Sequence, residues 1–153
     1  MPNLTQVLAA AFLAGAAPLA AQPPAPAPSP ATAAPASLTL AFTGIARPEG
    51  FVMVALFDSE AGWRENRPVR TVRAAVAGAS AQALFDGLPP GRYGVKSFHD
   101  MDGDGRMGTN PFGIPIEPFA FSNGARGAAG PAGWAEAAFE LRAGANRHAI
   151  AIQ

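Results

Sequence analysis

"SAQALFDGLPPGRYGVKSFHD", residues 80–100, is the stretch on which the fold turns. It reads as two strands, "SAQALFDG" and "RYGVKSFHD", separated by "LPPG", whose prolines and glycine end one strand and turn the chain before the next. Upstream, "SLTLAFTG" alternates Leu38, Leu40 and Phe42 with small or polar residues, the period-two pattern of a half-buried strand. "FVMVALFD", from Phe51, is apolar on both faces and suits a central strand covered on both sides. Residues 69–76 make a weaker strand. Downstream, "WAEAAFELR" and "NRHAIAIQ" flank "AGA" and read as a closing hairpin. The expectation is an all-β fold, a seven-stranded immunoglobulin-like or transthyretin-like β-sandwich with one long Gly/Pro-rich loop at residues 107–133. Tyr93, just after the tight turn, stands where a tyrosine corner would place its ring in the core and bond its hydroxyl to nearby backbone.

The rest of the chain divides sharply from this domain. Of 153 residues, 11 are basic and 11 acidic, and none is cysteine. That balance gives no bias toward nucleic acid or an acidic partner, and no disulfide or lipid-carrying thiol is available. Every ionisable side chain lies at or after Arg47. The apolar run from Val7 to about Ala17, followed by small residues near Ala20 and Ala21, has the form of a signal peptide over residues 1–21, although its start carries no Lys or Arg. The run is too short for the roughly 20 residues of a spanning helix, so no transmembrane span is expected after cleavage. Residues 22–36, "QPPAPAPSPATAAPA", form an Ala/Pro-rich linker in which each proline removes an amide donor. Residues 37–153 are the folded domain, expected in the periplasm or secreted, with an envelope or extracellular ligand as its partner.

Between residues 99 and 110, "HDMDGDGRMGTN" places Asp100, Asp102 and Asp104 at alternate positions before Gly105. This is the first half of D-x-[DN]-x-[DN]-G, in which carboxylates converge on a hard cation and glycine permits the sharp turn. Arg106 would offer its backbone carbonyl. An EF-hand needs a bidentate glutamate at loop position twelve, where this chain has Pro111, and a helix before the loop, where a strand precedes. Glu117 is the nearest acid able to close such a site. Three carboxylates at alternate positions repel one another without a cation, and oxygen ligands favour calcium over zinc or copper. The competing reading is an Asp/Gly turn held by side-chain to backbone hydrogen bonds.

Three segments, "ALFDSEAGW", "FDGLPPGRYGVKSFHDMDGDGRMGTNPFGIPIEPFAFSNGARG" and "GPAGWAEAAFEL", resemble in order the exported bacterial family named domain of unknown function 2141. The resemblance implies a small exported β-sandwich and carries no activity with it. The family pattern often has asparagines within the acidic run and an aspartate where Gly108 stands, so this chain has richer early ligands and a poorer late one.

Two classes of function follow. The first is a non-catalytic binding or envelope-associated module with a calcium loop. The alternative is a small periplasmic hydrolase using His99 and a neighbouring aspartate. It lacks a nucleophile motif: there is no cysteine and no G-x-S-x-G, and neither Ser97 nor Ser122 has a distinctive setting. His99 is expected to pack or hydrogen-bond at its strand end. Arg64, Arg67, Arg70 and Arg73 recur every third residue, but Pro68 interrupts any helix and the set reads as a solvated edge.

Overall fold

A computed structural model of the chain describes residues 34–128 and 130–153. The signal-peptide reading of residues 1–21, and the linker reading up to residue 33, fall outside the described residues. The described part is all-β, with strands β1 (Ala36–Thr43), β2 (Phe51–Phe57), β3 (Arg70–Ala77), β4 (Ser80–Leu88), β5 (Gly91–Asp100), β6 (Phe119–Phe121), β7 (Phe139–Leu141) and β8 (Gly144–Ala151). Helices are confined to α1 (Glu60–Arg64), α2 (Trp134–Ala137) and a 3-10 turn at Ser122–Gly124. No helix among the described residues is long and apolar enough to cross a membrane.

The strands form one curled mixed sheet in the order β6-β5-β2-β3-β4-β1-β8, with β7 added to the start of β5. All neighbours are antiparallel except β1 and β8, which run parallel from Ala36↔Gly144 to Thr43↔Ala151. β3 carries the sheet around its bend. Residues 70–75 pair with β2, whereas Val76 and Ala77 turn through Gly78 and pair with β4. At the far ends, Phe119 and Gln153 exchange both backbone hydrogen bonds, at 3.2 and 3.4 Å, so the curl brings its two edges into contact.

Period-two patterning explains which side is filled. Leu38, Leu40 and Phe42 of β1 face Val52, Val54 and Leu56 of β2, with Phe85 and Val95 between them, all buried. Each such side chain contributes roughly 1.5–3 kcal/mol relative to its exposed state. Tyr93 is buried and its hydroxyl donates to the Pro89 carbonyl at 2.8 Å, as a tyrosine corner requires.

Three expectations are corrected. The described residues hold eight strands rather than seven, because the long loop contains β6. "WAEAAFELR" is not a single strand: its first half is α2, where Trp134 packs against Trp63 with ring centroids 5.9 Å apart. The last two strands also fail to form a hairpin. β7 pairs with β5, and β8 with β1, because the "AGA" corner hands the chain from one half of the curl to the other. Asn146 holds that corner by donating to the carbonyls of Ser37, Arg142 and Gly144 while accepting the Arg142 N–H.

Candidate functional site

The acidic stretch begins at the last residue of β5. Asp100 lies on the outer face of the sheet, in register with Phe51, and is fully buried beneath its own loop. Its Oδ1 accepts the Gly103 N–H at 2.7 Å and its Oδ2 the Gly105 N–H at 3.0 Å. Both glycines have left-handed φ, 78° and 76°, which lets the chain wind around the carboxylate. Gly50 makes room on the other side, since a Cβ there would stand 2.2 Å from the Asp100 carbonyl oxygen. Arg73 on β3 lies over the Phe51 ring, donates to the Gly103 carbonyl at 3.2 Å and brings its Nη2 within 3.9 Å of Asp100 Oδ2. Arg73 is therefore part of this site, not of a merely solvated edge.

Glu117 closes the loop from its far end. It is buried, with Oε1 accepting the Met101 N–H at 3.1 Å and Oε2 the Gly108 N–H at 2.8 Å. Asp100, Asp102 and Glu117 each bring one carboxylate oxygen to within 4.8 Å of the others. Asp104 stands outside that group, accepting the Arg106 N–H at 2.7 Å, and Asp102 accepts the Asp104 N–H at 3.1 Å. Three of the four acids expected to act with the Arg106 carbonyl, Asp100, Asp102 and the distant Glu117, thus come together, and Asp104 does not. The amide contacts satisfy the turn reading as well, and a carboxylate oxygen has a second lone pair that an amide leaves available.

A groove of about 1100 Å³ runs along the same outer face beside the loop. Its floor is formed by Met53 and Ala55 of β2, Lys96 and Phe98 of β5, and Phe119 and Phe121 of β6. Residues 107–115 overhang one side, and the chain after α1 borders the other. Phe119 and Phe121 pin the long loop to the sheet, while Ile114 walls the groove.

Lys96 is half-buried and donates to the Trp63 carbonyl at 2.8 Å and to Asn66 Oδ1 at 3.1 Å. The ammonium lies 4.8 Å from the ring centroids of both Phe57 and Trp63. Burial lowers its pKa from the usual lysine value. Ten arginines and one lysine make up the 11 basic residues, and this sole lysine was a signal available in the sequence but not used. The groove itself was not legible, since its walls come from three separated segments.

The hydrolase residues are each bound elsewhere. His99 is buried, and its Nε2 meets the Glu49 carbonyl at 2.7 Å, which makes that nitrogen the donor. Ser97 Oγ donates to the Ala120 carbonyl, and Ser122 Oγ to that of Ala137.

A family model described as "Uncharacterized protein conserved in bacteria (DUF2141)" matches residues 40–149. No curated protein and no solved structure matches the chain. The acidic loop and the groove both fall within the matched span, and the chain belongs to the bacterial family DUF2141.

Proposed function

We propose that this is an exported, non-catalytic binding module of the cell envelope or its surroundings, whose acidic loop takes a calcium ion. The observation that carries the calcium reading is the meeting of Asp100, Asp102 and Glu117, brought from both ends of the β5–β6 loop to within 4.8 Å. Three carboxylates with Arg73 on one flank leave net negative charge in a partly buried place, which a hard divalent cation offsets. The role of the ion is to set the loop that borders the groove. The uncharged apolar N-terminus and the proline spacer support export to the periplasm or medium. An immunoglobulin-like or transthyretin-like kinship is supported by the Tyr93 corner, but the curled eight-stranded path is its own arrangement.

The test is a calcium titration followed by thermal unfolding. Without a bidentate glutamate at loop position twelve, affinity on the order of 1 mM is expected. At about 10 mM calcium, linkage then contributes roughly 1.4 kcal/mol, or a rise in Tm of about 5 °C for a domain of this size. Asp102→Ala should abolish the rise. Gly108→Asp should enlarge it, because a Cβ there stands 3.5 Å from Glu117 Oε2, and Ile116, the nearer neighbour at 3.2 Å, is an exposed side chain free to give way. A Tm that does not move with calcium, at matched ionic strength, identifies the loop as a turn only.

A further inference from the structure

The groove presents a chemical problem that the calcium loop does not address. Its charged side chains are Arg64 and Lys96, both cationic, and no carboxylate lines it. Neither cation forms an ion pair among the described residues; the ion pairs there are Arg47 with Glu49, Arg67 with Glu65, and Arg73 with Asp100. The Lys96 ammonium instead has two neutral oxygen acceptors and the faces of Phe57 and Trp63, which leaves one of its three N–H groups without an acceptor and its charge without a carboxylate partner. Elsewhere the groove carries uncovered apolar side chains: Ile114 is 58% exposed and Phe119 39%. A half-buried cation with no carboxylate partner, in a groove that also carries exposed apolar side chains, is complementary to a ligand that is both anionic and apolar.

We propose that the groove binds a single-chain amphiphilic anion, an apolar tail bearing one carboxylate, with the carboxylate on Lys96 and the tail along Met53 and Phe98 beneath Ile114. This rests on the reading of the protein as a binding module and names the ligand class. Charge complementarity selects an anion, and the apolar floor excludes a polyanion, which would need more than two cations. The volume of about 1100 Å³ lies just above the range of roughly 300–1,000 Å³ for small-molecule sites, as an open groove that takes an extended chain requires. Met53 and Met107 are unbranched and adapt to a flexible chain. A peptide strand is disfavoured because β2 and β5, which form the middle of the floor, already pair on both edges, leaving no backbone there to extend. The contact of Lys96 with the Trp63 carbonyl at the end of α1 holds the ammonium in place for the ligand.

The experiment uses decanoate, decanol and decyltrimethylammonium below their micellar concentrations, with a chelator present so that calcium plays no part. Binding is read by calorimetry and by the emission of Trp63 and Trp134, the chain's two tryptophans. Decanoate should bind one per chain, about tenfold or more tighter than decanol, with the ammonium amphiphile weakest. Lys96→Met should bring decanoate down to the level of decanol while leaving decanol unchanged, and Lys96→Arg should retain the preference. Should Lys96→Met fail to fold, the ligand series on the unaltered protein and the Lys96→Arg variant still decide. Equal affinity for decanoate and decanol, absence of saturable binding, or a Lys96→Met variant that keeps the preference would overturn the proposal. Calcium-dependent stabilisation is measured separately, so loss of the ligand class leaves the calcium reading standing, and the reverse holds too.

Discussion

Ser122 illustrates how much a single side chain can hold without advertising itself. It is fully buried, and its Oγ accepts the Val95 N–H at 2.9 Å while donating to the Ala137 carbonyl at 2.6 Å, so one hydroxyl joins β5 to α2. Ser122→Ala leaves the buried Val95 N–H unpaired and the Ala137 carbonyl with only the Asn123 amide, at a cost of about 1–3 kcal/mol. A lower urea midpoint with unchanged slope is the expected result, and an unchanged midpoint would mean that water takes over both bonds. Nothing in the local sequence marks this serine, because its partners lie 27 and 15 positions away. Asp100 is the opposite case. Its partners are three and five residues ahead, so alternation and glycine spacing alone pointed to a carboxylate at the heart of a turn.

At the scale of elements, legibility followed length and pattern. β1, β2, β4 and β5 run for seven residues or more and stand close to where the sequence pattern puts them. β6 and β7 are three residues each, and α2 is four, too short to nucleate without a packing partner. Trp63 and Trp134 supply that partner, and Gly94 lets them lie on β5, where a Cβ would stand 2.9 Å from Trp134 and 3.0 Å from Trp63. The tip of the long loop is ordered differently, by Asn110. Its Oδ1 accepts the N–H groups of Phe112 and Ile114 at 2.9 and 3.0 Å, holding out a Phe112 that is 87% exposed. Asn110→Ala should speed amide exchange at 112 and 114 while changing global stability by less than about 0.5 kcal/mol. A large drop in the unfolding midpoint would show instead that the tip is part of the cooperative fold.

For the whole molecule, the closing contacts decide behaviour with pH. His148 on β8 stacks on Phe139 with centroids 4.2 Å apart, and its Nε2 accepts the Asn123 N–H at 3.3 Å. Burial lowers its pKa below the usual 6.5, so the fold holds the neutral ring. The unfolded chain therefore takes up a proton first as pH falls below 6.5, and this contribution to stability, complete above that value, is lost down through the lower folded pKa. Thermal unfolding should show a Tm that declines from pH 7 to pH 5 more steeply in the natural protein than in His148→Phe. Carboxylate titration is common to both. Identical slopes would place His148 outside the closure. The outer face has its own large-scale order: Asp100 and Lys96 are four residues apart on β5, roughly 13 Å at strand spacing, which puts an acidic end and a basic end on either side of apolar Phe98.

Short-range physics was enough for the class of fold, the turn at Pro89 and Pro90, the Tyr93 corner and the acidic loop wound around Asp100. In each of these the interacting groups are neighbours in the chain, so period, proline, glycine and spacing carry the information. Glu117 was legible only as the nearest acid; that it meets Asp100 and Asp102, whereas Asp104 does not, depends on how the loop returns to β6. The parallel β1–β8 pair, the exchange of bonds between Phe119 and Gln153, and the groove around Lys96 were decided by tertiary structure alone. Each of these requires groups far apart in sequence to meet, and alternation records only which face a side chain takes, not which strand will lie beside it.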